Sequence, residues 1–343
     1  MDDVRQKTSM QDIADALGIS KNAVSLALNN KPGISEALRN KVVQAAIAMN
    51  YGGYGKLNNS KNNNLVAICV PSAISGGSQF YSAVYWAIEK ELSLHGYRSL
   101  ITSITGEMEE NLTFPEVLFE QQLIGVIVVG VLKKEYIHLL VNSYNNFVQV
   151  DNYFMDLAIN SVATANVEGG YEATKFLIEQ GCSRIGFVGH TNKYNSYKDR
   201  CRGYTLALSD ASIQFEPSRV LTNGTFFRPE VNLEAILEVI IDEKLDALFC
   251  ASDRLAIQII GILHKKRIKI PQDISIIGFD DTENSDIVNP PLTTMRVPRG
   301  ELGYAAAHLL VEKIKSKKKP PSAISIYPRL IKRKSVKMDT TIP

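Results

Sequence analysis

Residues 8 to 49, TSMQDIADALGISKNAVSLALNNKPGISEALRNKVVQAAIAM, carry three short amphipathic segments joined by tight turns. This spacing restricts the stretch to a small helical unit. Ser9 is an N-cap with Asp12 three residues on, and Met10, Ile13 and Leu17 recur at helical spacing. Gly18 ends that helix. Ser20 opens the next, which turns Ala23, Val24, Ala27 and Leu28 to one face and leaves Lys21, Asn22 and Ser25 on others. A third helix behind Ser35 buries Leu38, Val42, Val43, Ala46 and Met49, closing a shared core. A helix, a glycine-containing turn and a second helix with a polar leading edge form the unit whose second member lies in the DNA major groove. The competing reading is a bundle that only caps or dimerises the chain. The turn from Gly18 to Ser20 and the charge of residues 1 to 64, eight Lys/Arg against five Asp/Glu, favour phosphate contact.

At 343 residues and 45% hydrophobic, the chain can bury a large core in two or three domains. Its net charge of +2 conceals a −10 stretch over residues 65–312 (20 basic, 30 acidic) and a basic segment over 313–343 (ten basic, one acidic), which reads as a solvated loop and tail. Cys69, Cys182, Cys201 and Cys250 stand far apart without CxxC or metal-ligand spacing to histidine, so they read as buried reduced thiols, and no metal site is expected. The N-terminal segment has no apolar signal core and no run is long enough to span a membrane, which points to a cytoplasmic protein.

Residues 51–64 turn to Gly and Asn and read as a linker. Beyond them, continuous apolar runs at 65–70, 125–130, 147–150, 184–189, 247–251 and 274–279 alternate with helical patterns, the arrangement of parallel sheets covered on both faces. In an open α/β sheet the ligand lies beyond the carboxyl ends of the strands. Those positions hold Pro71, Ser72, Asp151, His190, Ser252, Asp253, Asp280 and Asp281, with Arg200 in the segment after the fourth strand. Carboxylate acceptors with a forked donor suit a ligand rich in hydroxyls. Structural alternatives stand beside this: Asp253 as an N-cap, His190 as a turn or surface residue, Asp281 as a turn residue.

The head, followed by VDN (150–152), EGGYEATKFLIEQG, RCRGY, FCASD, IPQDISIIGFDDTENSD and PPLTTMRVPRGELGYAAAHLL, resembles the LacI/GalR family of bacterial transcriptional regulators over nearly the whole chain. The resemblance implies an α/β protein with an N-terminal three-helix helix-turn-helix head (1–50), a Gly/Asn-rich hinge (51–64) and a two-lobed periplasmic-binding-protein-like core (65–343). The N-lobe would take about 65–163 and 293–325, the C-lobe about 164–292 and 326–343. It implies a homodimer on double-stranded operator DNA, controlled allosterically by a small effector, carbohydrate-like, between the lobes. Lys21 and Asn22 would read bases, while Ser20, Asn29, Ser35 and Tyr51 would touch the DNA backbone. Arg200 and Asp280 would hold effector hydroxyls and face solvent without ligand. Asp151 and Ser252 take further effector positions. Phe80 and Tyr81 would line the cleft or pack in the core, and Tyr85 and Trp86 would lie near the dimer interface or on the plain surface.

Two positions depart from the family pattern. Leu26 replaces the arginine of V-S-R, so an apolar contact to a thymine methyl stands in for a guanine-reading fork. The hinge has lost the minor-groove leucine, with Leu57 available only in a shifted register, and its glycines oppose a helix at up to about 1 kcal/mol each. Other classes fit less well. A periplasmic binding protein needs a signal peptide and no DNA-binding head. A dehydrogenase needs a G-x-G-x-x-G turn where this chain has PSAISGGSQF. No motif calls for a cofactor.

Overall fold

A computed structural model describes residues 8–29, 31–49, 51, 64–75, 79–120, 122–192, 194–221, 233–316 and 319–338. The hinge residues 52–63, Leu57 among them, lie outside the described residues. Among those described, no helix is long and apolar enough to cross a membrane.

The head consists of α1 (Met10–Leu17), α2 (Lys21–Leu28) and α3 (Glu36–Ala48). Ser9 and Asp12 form a reciprocal capping box, and Gly18 ends α1 at φ 64°, where a side chain would be strained. Ile13, Ala14, Val24, Ala27, Leu28, Val42, Val43 and Ala46 make a closed core, with Leu38, Met49 and Tyr51 packed around it.

Two units follow, one of residues 1–150, 154–161 and 303–323 (which takes in the head), the other of 151–153, 162–302 and 324–343. One sheet, ordered β11-β5-β4-β3-β1-β2, takes β1 (Leu65–Pro71), β2 (Arg98–Ile104), β3 (Leu123–Val129) and β4 (Phe147–Val150) from the first unit, together with β5 (Asn160–Thr164) and β11 (Ala323–Ile326), within which the chain passes from the first unit to the second. Strand β1 is parallel to β2 and β3, and β3 to β4. The first unit's helices are α4 (Ser72–Ser75), α5 (Gln79–Leu94), α6 (Gly106–Asn111), α7 (Glu116–Glu120), α8 (Lys134–Ser143) and most of α14 (Arg299–Lys315).

The second unit has a sheet ordered β12-β10-β9-β8-β6-β7, from β6 (Ile185–Val188), β7 (Val220–Leu221), β8 (Ala247–Cys250), β9 (Ser275–Asp280), β10 (Thr293–Arg296) and β12 (Arg329–Ile331). All neighbours are parallel except β10 and β12. Helices α9 (Asn166–Glu179), α10 (Asn195–Asp210), α11 (Leu233–Asp242), α12 (Asp253–Lys265) and α13 (Asn284–Ile287) complete it. Because β10 pairs with β9, residues 293–302 belong to this unit, which corrects the expected N-lobe boundary at 293.

Helices α9 and α10 meet backbone to backbone. A Cβ on Gly203 would stand 2.0 Å from the Val167 carbonyl oxygen, and one on Gly170 would stand 2.2 Å from that of Arg200. Each glycine costs a helix roughly 1 kcal/mol relative to alanine, and here the close approach requires it. The contact fixes where the backbone of Arg200 sits.

Candidate DNA-reading helix and small-ligand site

Helix α2 buries Val24, Ala27 and Leu28 and so turns its other side outward. At about 100° per residue, Asn22, Leu26 and Asn29 form one stripe, with Ser25 beside it and Lys21 at its leading edge. Lys21, Asn22 and Asn29 are exposed, and Ser25 and Leu26 half-buried. The Ser20 hydroxyl accepts from the Ala23 amide at 3.1 Å, which sets the start of the helix and points its free amides outward. Ser35 caps α3 in the same way, through Leu38 N at 3.3 Å. At the far end, Arg39 donates to the carbonyls of Leu26 and Ala27, both at 3.2 Å, and of Lys31 at 2.8 Å. That guanidinium adds a charged donor to the last carbonyls of α2, beside the backbone amide that Leu26 O already accepts from Lys31, and complements the helix dipole. The Asn29 amide folds back onto the Ser25 carbonyl at 2.8 Å, Leu26 leans toward Gly33, and Tyr51 packs on the head core.

In the second unit the carboxyl ends of β6, β8 and β9 converge on Arg200, whose side chain is 3% exposed. Its Nε donates to Asn166 Oδ1 at 2.9 Å and its Nη1 to the Ala251 carbonyl at 2.5 Å, with Asp280 Oδ1 3.3 Å away. The guanidinium carbon lies 3.6 Å from the centre of the Phe279 ring. Arg200 is therefore built into the scaffold, and the expectation that it faces solvent is corrected. Although Arg200 Nη1 lies 3.3 Å from it, burial dominates at Asp280 and pushes its carboxyl up to about 7, with Arg200 acting in the opposite direction and Asp253 and Asp151 raising it further. Asp280 sits at φ 106° and Asp151 at φ 60°, strained positions that persist only where the surroundings enforce them. Arg299 donates to the Asp280 and Asp281 carbonyls and holds that turn. Burial pushes the Tyr197 hydroxyl up to about 12, while its hydrogen bond with Ser252 acts the other way.

Residues 9–52 match the model of bacterial regulatory proteins of the lacI family, and residues 174–336 match that of a periplasmic binding protein-like domain. The HTH-type transcriptional repressor PurR of Pasteurella multocida (strain Pm70) is 28% identical over 335 residues, 96% of this chain and 98% of that protein. PurR of Vibrio atlanticus (strain LGP32) matches over the same shares at 28%. The chain thus joins a lacI-family DNA-binding domain to a periplasmic binding protein-like domain. Solved structures agree on the fold. The complex of the transcriptional regulator CelR with cellobiose has a TM-score of 0.71 at 22% identity, covering 96% of this chain and 100% of that one. The lac repressor dimer bound to operator and the anti-inducer ONPF has 0.68 at 20%, covering 97% and 100%. The matched relatives are transcriptional regulators and not enzymes, and this chain carries the DNA-binding domain of that class.

Asp151, Arg200, Ser252 and Asp280 all belong to the second unit, while Phe80 and Tyr81 lie half-buried on α5 of the first, their rings edge to face at 5.0 Å. Ser252, not Asp253, is the N-cap of α12, accepting from Leu255 N at 3.4 Å. Asp253 is fully buried and accepts from Thr282 N at 2.8 Å and from the Ser285 and Thr294 hydroxyls at 2.5 Å, which ties three segments together. His190 is buried, not on the surface. Asp281 does occupy a turn, at φ 51°, and its carboxylate also pairs with Arg296 at 2.5 Å and Arg333 at 2.8 Å. Burial pushes the Tyr85 hydroxyl up to about 12, whereas Trp86 is 70% exposed. Sequence reading missed Arg39, Asn166, Phe279 and Arg299. Their partners lie 8 to 79 residues away along the chain, and no local pattern marks them.

Proposed function

We propose that this regulator is a repressor that binds a pseudo-palindromic operator as a homodimer and releases or tightens its hold when a small polyhydroxylated effector, carbohydrate-like, occupies the Asp151, Arg200 and Asp280 site. The observation that carries the effector reading is the strained Asp280 carboxyl, paired at 3.3 Å with an arginine of which Asn166 and Ala251 engage the Nε and one Nη1 donor. A carboxylate accepts several hydrogen bonds, and vicinal hydroxyls provide donors for them. The complex of CelR with cellobiose is a case in which a protein of this fold accommodates a carbohydrate. For the dimer, α5 and the edge strand β2 expose apolar Trp86, Leu94 and Ile101. A symmetric pair places its two recognition helices roughly 34 to 36 Å apart, one turn of DNA.

A thermal-shift screen against a carbohydrate panel tests the effector class, since a ligand at 100 times its Kd stabilises by about 2.7 kcal/mol. A nucleoside panel that stabilises the protein where carbohydrates do not would replace the class. On the DNA side, Asn22→Ala should cost about 1 to 3 kcal/mol on the specific operator and little on random DNA, because a base contact carries discrimination. Equal losses on both would remove Asn22 from base reading. The coupling is reciprocal, so operator must change effector affinity by the factor by which effector changes operator affinity.

A further inference from the structure

Histidine and glutamate stand four residues apart twice in the first unit: Glu91 on α5 with His95 in the turn just after it, and His308 with Glu312 on α14. The four lie on neighbouring faces. One ligand atom from each of Glu91, His95 and His308 lies within 4.8 Å of the others. Glu91 Oε1 is already 3.1 Å from His95 Nε2, and the two imidazole centres are 6.3 Å apart. We propose that Glu91, His95 and His308 bind a divalent transition-metal ion of the zinc class.

The donor set decides the class of ion. Two imidazoles and one carboxylate suit Zn²⁺, Co²⁺ or Ni²⁺, while Mg²⁺ and Ca²⁺ select oxygen ligands. Three protein ligands leave a fourth tetrahedral position for water. Metal–ligand arms of about 2.0 to 2.2 Å put ligand atoms roughly 3.4 Å apart in such a site. Glu91 and His95 meet that spacing, and His308, half-exposed, closes the rest by about 1 Å through side-chain rotation.

The backbone under the site is fixed. A Cβ on Gly303 would stand 2.5 Å from the Val84 carbonyl oxygen and 3.1 Å from the Ile88 amide nitrogen, so α5 and α14 touch there, about one turn before Glu91 and His308. The outer groups also fit. Tyr304 stacks on His308 with 13° between the rings, and Glu312 lies 3.8 Å from the His308 Nε2, the kind of carboxylate partner that orients a metal-bound imidazole. Glu91 is the buried member, its side chain 10% exposed. A bound dication stabilises a carboxylate held there.

The test is titration of tag-free, full-length protein with Zn²⁺ by calorimetry and with Co²⁺ by visible absorption. One equivalent should bind, with the d–d bands of a low-symmetry site. His95→Ala, His308→Ala and Glu91→Gln should each weaken binding by at least about tenfold, the lower end of what even outer-sphere partners cost. His138→Ala, at an exposed histidine on α8, should change nothing. The two histidine variants alter solvent-exposed side chains and should keep the wild-type circular dichroism, so they decide the matter if Glu91→Gln does not fold. Absence of stoichiometric binding, or equal affinity in wild type and both histidine variants, overturns the proposal.

Discussion

Replacing Arg200 by methionine keeps much of the side chain's length and removes its charge and donors. At pH 5 the Asp280 carboxyl, with its value near 7, is protonated with or without Arg200, so the cost comes from the Asn166 and Ala251 oxygens left without a donor. At about 1 to 3 kcal/mol per orphaned acceptor, partly relieved by relaxation, roughly 2 to 4 kcal/mol is expected. Asp280 adds a pH-dependent part. Its folded value lies above the ordinary 3.8, so its contribution to stability is complete below pH 3.8 and is lost as pH rises through 7. Without Arg200 that folded value climbs further, and the variant loses more than wild type between pH 5 and pH 8. The total at pH 8 should approach the 3 to 5 kcal/mol typical of a broken buried pair. For a domain of this size 1 kcal/mol corresponds to about 2 to 4 °C, so the second unit should melt roughly 5 to 15 °C lower. Calorimetry of wild type, Arg200→Met and Arg200→Lys at both pH values separates the parts: lysine should recover the pH-dependent part and not the fork. A melting temperature for Arg200→Met within 2 °C of wild type at both pH values would refute the reasoning and return Arg200 to a solvent-facing ligand group.

The same carboxyl makes effector binding pH-dependent: hydroxyls donating to ionised Asp280 should bind about tenfold more tightly at pH 8 than at pH 6, measured by calorimetry, with the dependence absent in Asp280→Asn. Arg39→Ala removes three hydrogen bonds at the end of α2 and should cost the head about 1.5 to 3 kcal/mol, seen as faster amide exchange in α2 and as parallel losses on specific and random DNA. Gly170→Ala forces α9 away from α10 and should destabilise the second unit by about 3 kcal/mol or more in urea unfolding; a loss under 1 kcal/mol would show that the contact is soft.

The capped head and the six central strands were legible because each rests on local signals: a serine cap, a glycine stop, a continuous apolar run. The strands that escaped lack those runs. Strand β2, RSLITSI, alternates because it is an edge strand exposed on one face. Strand β10, TTMR, buries threonines whose hydroxyls are satisfied by Asp253 and Arg333 N, which composition cannot announce. Likewise the charge and spacing around Arg200 were visible in the sequence, but its burial was not. Burial there depends on Asn166, Ala251 and Phe279, residues 34 to 79 positions away. The roles of Asp253 and Ser252 were exchanged for a simpler reason: adjacent polar residues at a helix start are interchangeable caps until a tertiary partner claims one of them.

The glycine contact between α9 and α10 also bears on how such a protein can change its ligand. A joint made of two backbones holds no side chain whose trimming or enlargement could shift it in small steps, so variation there is punished abruptly and not graded. Arg200 and Asn166 are thus inherited as one piece. New preferences must arise from groups hung around that piece, such as the Asp151–Tyr153 segment, where Tyr153 donates to Asp199 at 2.6 Å, and Tyr197 above the guanidinium. A combinatorial library confined to those few positions would sample most of the ligand space open to this scaffold while leaving its folding intact.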